Sequence, residues 1–310
     1  MERLNNYEDN ALNIDAYFDG EIIDGSDLLK QLKKEVEKGS KCYLFMDVDG
    51  CLIESALETA GNHRTLEEWK DENLDNINEF NENLALLKEK GVNIGLSTGR
   101  GWDFSKRLIE EAFKTNESQI SLDKSIIEGG LLVHDSDTDD CGVSPVVDKE
   151  SADLLRDNRD QIIKLGESLG GHLEEGKFLA VSFNPPEIDG KRSTDDFEEI
   201  LLDNIDEELK KGLVITHSSS AVDITPMGVD KMSTLKELVG SDGVVIFVGD
   251  GKNDESSMRD LLVRINLSPN NAHKDIKEMI KSDSKLGLIS EKDDIEGINE
   301  CLGLLNQALD

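Results

Sequence analysis

Apolar residues fall along this chain in two patterns. The first is the short continuous run: "KCYLFMDV" (41–48), "VNIGLSTGR" (92–100), "SIIEGGLLVHD" (125–135), "GVVIFVGD" (243–250) and the strand-like "VRINLS" (263–268). Runs of this length predict strands buried on both faces, as in a parallel sheet covered by helices. The second pattern has helical spacing. In "DGSDLLKQLKKEVEKGS" (24–40), Leu28, Leu29, Leu32 and Val36 share a face, with Ser26 as N-cap and Gly39 as stop. From Thr65 to Gly91, Leu74, Ile77, Phe80, Leu84 and Leu87 make an apolar stripe, and Thr65 with Glu68 matches a capping box. Further helices are expected from about Trp102, over "GVDKMSTLKELVG" (228–240), from about Asn253, and at the end of the chain.

Strand and helix alternate twice, on either side of a segment with a different character. After the polar boundary "DSDTDDCGVSP" come a helix (151–171), the strand-like "KFLAVSFNPPE" (177–187), a helix around 194–211, and two strands, "GLVITHSS" and "AVDITP". The expected organisation is therefore an acidic N-terminal extension with a short helix (1–40), a parallel α/β core (41–134 and 219–310), and a lid-sized α+β insert (135–218).

Composition narrows the function classes. The 310 residues carry 34 Lys and Arg against 67 Asp and Glu, a net charge of −33 with five histidines neutral. Nucleic acid and anionic membrane surfaces would be repelled at long range, so neither is expected as a partner. The excess reads equally as an adaptation to a salt-rich cytoplasm or as an ordinary solvated acidic surface. Cys42, Cys51, Cys141 and Cys301 show no paired spacing, which suggests a reduced compartment. No apolar run approaches the ~20 residues of a membrane span, and the first twenty residues lack a signal core, so a cytoplasmic location is expected. His63, His134, His172, His217 and His273 show no zinc spacing, and neither a GxSxG elbow nor a P-loop is present.

Four polar segments stand at the C-terminal ends of predicted core strands or at a helix start, the edge where open α/β sheets bind ligands. They are Asp47-Val48-Asp49-Gly50, Ser97-Thr98-Gly99-Arg100, Lys231 in "GVDKMSTL", and Gly249-Asp250-Gly251-Lys252-Asn253-Asp254. Singly, each also reads as a turn or a helix cap. Jointly, Asp47, Asp49 and Asp250 form an acid cluster suited to a hard cation such as Mg²⁺. Thr98 offers a hydroxyl and a backbone N–H to a phosphate, and Lys231 offers it a fixed positive charge. Cys51, beside these acids, reads as a packing residue, because their field opposes a thiolate.

In this order the segments resemble the motifs of the haloacid dehalogenase superfamily of phosphotransferases. "DVDGCL" is similar to the first motif, Thr98 in "STGR" to the second, Lys231 to the third and "GDGKND" to the fourth. The position of the insert resembles the larger-cap subgroup, which contains Cof-type, sucrose-phosphate, trehalose-phosphate and mannosyl-phosphoglycerate phosphatases and phosphomannomutases. The resemblance covers about residues 41–310. It implies a Rossmann-like core with a cap, and a Mg²⁺-dependent phosphomonoesterase acting on a small phosphorylated metabolite such as a sugar phosphate. By resemblance, Asp47 is the nucleophile and Asp49 the acid/base. Asp47, the backbone carbonyl of Asp49, and Asp250 hold the metal, supported by Asp254 and Asn253. Thr98, Gly99, Lys231 and Asn253 meet the phosphate. Arg100, Lys177, Ser182, Asn184 and Ser218 are substrate candidates. A mutase or a non-catalytic sugar-phosphate-binding protein are the alternatives. The sequence departs from the pattern at Cys51, where threonine is usual, at Glu128-Gly129-Gly130, where an Asn-Gly pair is frequent, and in residues 1–40.

Overall fold

The computed structural model describes residues 14–39, 41–55, 57–58, 64–113, 122–187, 193–217 and 221–310; His63 and Ser218 lie outside them. The chain begins with strands β1 (Ile14–Phe18) and β2 (Glu21–Ile22), helix α1 (Gly25–Val36), β3 (Lys41–Met46), α2 (Leu66–Glu72), α3 (Leu74–Glu89), β4 (Val92–Leu96) and α4 (Trp102–Ala112). Next come β5 (Lys124–Ile127), a 3-10 turn (Glu128–Gly130), β6 (Leu132–Asp135), β7 (Asp140–Val143), α5 (Lys149–Ser168), β8 (His172–Leu173), β9 (Val181–Asn184), α6 (Thr194–Asn204), α7 (Glu207–Gly212), β10 (Leu213–His217) and β11 (Val222–Pro226). The last third holds α8 (Lys231–Val239), β12 (Gly243–Val248), α9 (Glu255–Arg259), β13 (Val263–Ser268), α10 (Lys274–Ser282), β14 (Leu286–Ser290) and α11 (Asp294–Ala308).

Seven strands form the main sheet in the order β2-β1-β14-β13-β12-β3-β4. From β14 to β4 every pairing is parallel. Successive side chains of a strand point to opposite faces, and both faces are filled. Leu44, Met46, Ile246 and Val248 pack with Leu84, Leu302 and Leu305 on one side, while Phe45, Val245 and Phe247 pack with Leu235, Ile276 and Ile280 on the other. Each such side chain contributes about 1.5–3 kcal/mol by leaving water. The expected parallel core is present, and it is mixed at one edge. There β1 runs antiparallel to β14, and β2 to β1. The N-terminal segment thus supplies two sheet strands besides its helix, which starts at Gly25, before the expected cap position 26, and Asp24 accepts the Asp27 N–H at 3.1 Å.

Two predicted helices are each two helices. The 65–91 stripe breaks at Asn73, and the 194–211 segment breaks at Ile205, where the backbone is extended before Asp206 caps α7. The capping box of Thr65 and Glu68 is formed. The run "SIIEGGLLVHD" divides at Glu128–Gly130, so β5, β6 and β7 make a small antiparallel sheet. A third sheet, β10-β11-β9-β8, is covered by α5, α6 and α7 around Val181, Phe183, Phe197 and Leu201. Strand β11 follows the expected core return at 219, yet it is hydrogen-bonded to β9 and β10 in this cap sheet. Its alternate residues Val222 and Ile224 bury into the cap core, which ties it there.

One glycine decides how β5 meets the main sheet. A Cβ on Gly95 would lie 1.9 Å from the Lys124 carbonyl oxygen. Its absence lets Ser125 Oγ accept the Leu96 N–H at 3.0 Å and the Ile126 carbonyl accept the Thr98 N–H at 2.9 Å. Gly95→Ala should lower stability by about 1–3 kcal/mol, the range for overpacking; urea unfolding measures this, and an unchanged midpoint would contradict it.

Candidate active site

Three adjacent parallel strands deliver the site. β12, β3 and β4 are in register, with Val248 opposite Met46 and Met46 opposite Leu96, so all three end at one level. The ladder runs one residue further, since the Asp47 N–H donates to Val248 O (2.9 Å) and the Ser97 N–H to Met46 O (2.8 Å). Asp47, Thr98 and Asp250 therefore leave the sheet side by side. Lys231 joins them as the first residue of α8, which a box between Asp230 and Ser233 caps.

Lys231 Nζ donates to Asp47 Oδ1 at 2.8 Å and to Asp254 Oδ1 at 2.7 Å, and all three residues are buried. Asp47, Asp250 and Asp254 offer carboxylate oxygens within 4.8 Å of one another. Three carboxylates face one ammonium, leaving two negative charges uncompensated. The groups respond as this imbalance requires. Burial, then the field of Asp254, pushes the Asp47 carboxyl well above the ordinary range. Burial and Asp254 likewise push Asp250 up to about 7. Burial pulls the Lys231 ammonium down, but Asp254 and Asp47 more than offset it and hold its pKa above normal. An all-oxygen donor set with a deficit of two positive charges fits a hard divalent cation.

Asp49 points elsewhere. The chain turns at Gly50 (φ +73°), where the N–H donates to Ile53 O at 2.8 Å and a Cβ would stand 2.3 Å from Asp250 Oδ2. This turn separates the two acids: Asp49 is held by the fork of Arg100, Nε to Oδ2 at 2.7 Å and Nη2 to Oδ1 at 2.5 Å. Arg100 is itself buried and lies 4.4 Å from the Phe104 ring centroid. The Asp49 carboxylate is thus outside the acid trio.

Thr98 is buried; its hydroxyl accepts the Arg100 N–H at 3.0 Å and its own N–H is engaged with Ile126, so that N–H is not offered to a ligand. The reason is the β4–β5 bridge, which the sequence pattern does not reveal. Gly99 is exposed, with nothing within 4 Å of its Cβ direction, and Asn253 is exposed on the Asp250 loop. The Cys51 sulfur is buried 3.9 Å from Asp250 Oδ1, and burial, followed by the field of Asp250, drives its thiol far up. Among the cap candidates, Lys177 donates to Ser182 Oγ (2.8 Å) and Asp223 Oδ1 (3.1 Å). Asn184 lines a cleft of about 310 Å³ between core and cap, with Arg100, Asp103, Phe104, Glu174 and Glu175. The segment "NNAHKDIKEM" after the fourth motif, which also resembles Cof-type sequences, supplies two supports. Asn271 donates to Gly50 O at 2.9 Å and the His273 N–H to Asp250 O at 2.8 Å, so the "SPNNAHKD" turn buttresses both acid loops.

Because the folded-state pKa of Asp250 lies above its unfolded value, the cation-free native state holds a proton the unfolded chain has lost. Stability in chelator should therefore fall as pH rises from about 4 toward about 7. Mg²⁺ at one hundredfold excess over Kd should restore about 2–3 kcal/mol, and Asp250→Asn should reduce both effects, leaving the part of the pH dependence that Asp47 carries. Thermal unfolding with and without Mg²⁺ at pH 6 and 8 checks this; an equal Mg²⁺ response in the variant would contradict it.

No protein-family model matches the sequence, and no curated protein matches it either. Solved structures do match. The C-terminal domain of trehalose-6-phosphate phosphatase from C. albicans is 15% identical with a TM-score of 0.56, over 92% of this chain and 97% of that one. A haloacid dehalogenase-like hydrolase from Bacteroides thetaiotaomicron is also 15% identical with a TM-score of 0.56, over 85% and 99%. A Thermoplasma acidophilum protein is 17% identical with a TM-score of 0.55, over 85% and 99%. The resemblance read from the four motifs is met at the level of architecture: this chain has the capped α/β fold of haloacid dehalogenase-like hydrolases.

Proposed function

We propose that the protein is a divalent-metal-dependent phosphomonoesterase acting on a sugar phosphate or a similar hydroxyl-rich phosphate ester. The observation that carries this reading is the trio of buried Asp47, half-buried Asp250 and buried Asp254, with the Lys231 ammonium bonded to two of them. A cation bound there, Mg²⁺ by preference, supplies the positive charge that draws a phosphoryl group to these acids. Asp47 attacks phosphorus as the bond to the ester oxygen breaks, and Asp49 gives that oxygen its proton. Water then attacks the phosphorus of the aspartyl phosphate, Asp49 takes the water's proton, and Asp47 and inorganic phosphate are released. Lys231 neutralises charge on the transferring oxygens while the Thr98 hydroxyl and the exposed Gly99 backbone orient them.

Arg100 has two tasks in this scheme. At rest its fork bonds both carboxyl oxygens of Asp49. For Asp49 to deliver a proton, the guanidinium must turn from Asp49 to oxygens of the substrate, and the freed carboxyl must take that proton from water before giving it to the ester oxygen. The cleft beside Arg100 supports a hydroxyl-rich leaving group. Its walls carry Asp103, Glu174, Glu175 and Asn184, acceptors for hydroxyl donors, and its four carboxylates, Glu58 included, outnumber Arg100 and Arg107, which disfavours a second anionic group. One neighbour in fold is a trehalose-6-phosphate phosphatase by name and another a trehalose-6-phosphate phosphatase related protein, which agrees with that class.

With p-nitrophenyl phosphate and Mg²⁺, the protein should release p-nitrophenol, and Asp47→Asn should lower the rate by at least about a thousandfold, the scale of losing a nucleophile. Equal, negligible rates for the two would reject the enzyme. Across a panel of sugar phosphates, phosphate release should be selective; flat activity would reject the sugar-phosphate part alone.

A further inference from the structure

Glu128 is 3% exposed and has a φ of +50°, in the left-handed region where Gly or Asn is the economical residue. A glutamate kept there implies a task for its side chain. Its carboxylate crosses from core to cap. Oε1 accepts the Phe178 N–H at 2.6 Å, and Oε2 accepts those of Leu179 (2.8 Å) and Ala180 (3.1 Å). The carbonyls of the same segment are held from the cap side: Arg159 donates to Lys177 O (2.7 Å), Phe178 O (3.2 Å) and Ala180 O (2.9 Å). Residues 177–180 are thus clamped between a carboxylate of the core and a guanidinium of the cap.

Both ends of this clamp reach the chemistry. On the core side, the Glu128 N–H donates to Arg100 O at 3.1 Å and the Gly129 N–H to Thr98 O at 2.9 Å, while Thr234 of α8 donates to Gly130 O at 2.7 Å. The Glu128 turn is therefore built onto the Thr98 loop and onto the helix that begins with Lys231. On the cap side, the clamped segment continues directly from Glu174, Glu175 and Gly176, which wall the cleft above Arg100.

We infer that Glu128 is a positioning residue that pins cap segment 174–180 at a fixed height above Arg100, and so sets the room for the leaving group. The pinning stands on geometry alone, whereas the selection of leaving groups rests on the phosphatase reading. In Glu128→Ala three amide donors lose their acceptor; Glu128→Gln keeps one carbonyl oxygen and removes the charge.

Hydrogen exchange and kinetics test the two parts separately. Amides 178–180 should exchange about tenfold faster or more in Glu128→Ala, and by a smaller factor in Glu128→Gln, with α5 protected as before. The KM for glucose 6-phosphate should rise several-fold in both variants, with KM and kcat for acetyl phosphate each held within about twofold. Unchanged protection at 178–180 in both variants would overturn the pinning, and so would loss of protection spread through α5, which marks a general loss of stability. Pinning shown by exchange with equal KM changes for both compounds would overturn the leaving-group role. If the wild-type protein hydrolyses neither compound, the phosphatase reading and the leaving-group role fall together, and exchange still decides the pinning.

Discussion

One buried ammonium holds this architecture's working end together. Lys231 lies between Asp47 at the tip of β3 and Asp254 on the loop after β12, buried so that little water reaches its charge. A buried ion pair rarely stabilises a fold beyond what apolar packing would do. Its importance is the charge it leaves uncompensated. Asp250 adds a third carboxylate to a pair that one lysine already serves, and the fold accepts the repulsion because the register of β12, β3 and β4 permits no retreat. That strain is what makes the site a receptor for positive charge.

The second organising feature is the separation of two acids only two residues apart. On a regular strand Asp47 and Asp49 would share a face. The Gly50 turn sends one into the acid trio and the other to Arg100. Side by side in sequence, the two carboxylates occupy different electrostatic worlds, one in excess negative charge and one in a neutral pair. Unequal environments of this kind let a nucleophile and a proton carrier coexist.

Much of this was legible in the residues because it obeys local rules. The apolar runs marked β3, β4, β12 and β13, and Asp47, Asp250 and Lys231 stand where those runs or the next helix place them. What was missed is non-local. Strand β14, "LGLIS", is short and glycine-broken, and β1 hides in an acidic stretch; their antiparallel pairing is not visible in either run. The cap includes β11 because Val222 and Ile224 match a cap core assembled from distant segments. Arg100 on Asp49, and Glu128 on the amides of 178–180, join residues roughly fifty positions apart, and no spacing rule reaches across that gap.

The meeting of Gly101 and Gly176 has a bearing on how such a protein can evolve. A Cβ at position 101 would lie 2.3 Å from the Gly176 carbonyl oxygen, so core and cap touch here through main chain alone. Any side chain gained at that point would act as a wedge, prising the cleft wider without altering one chemical group in it. The room in this cleft is therefore open to change from a position that contributes no side chain, where a mutation would register as new geometry before it registered as new chemistry.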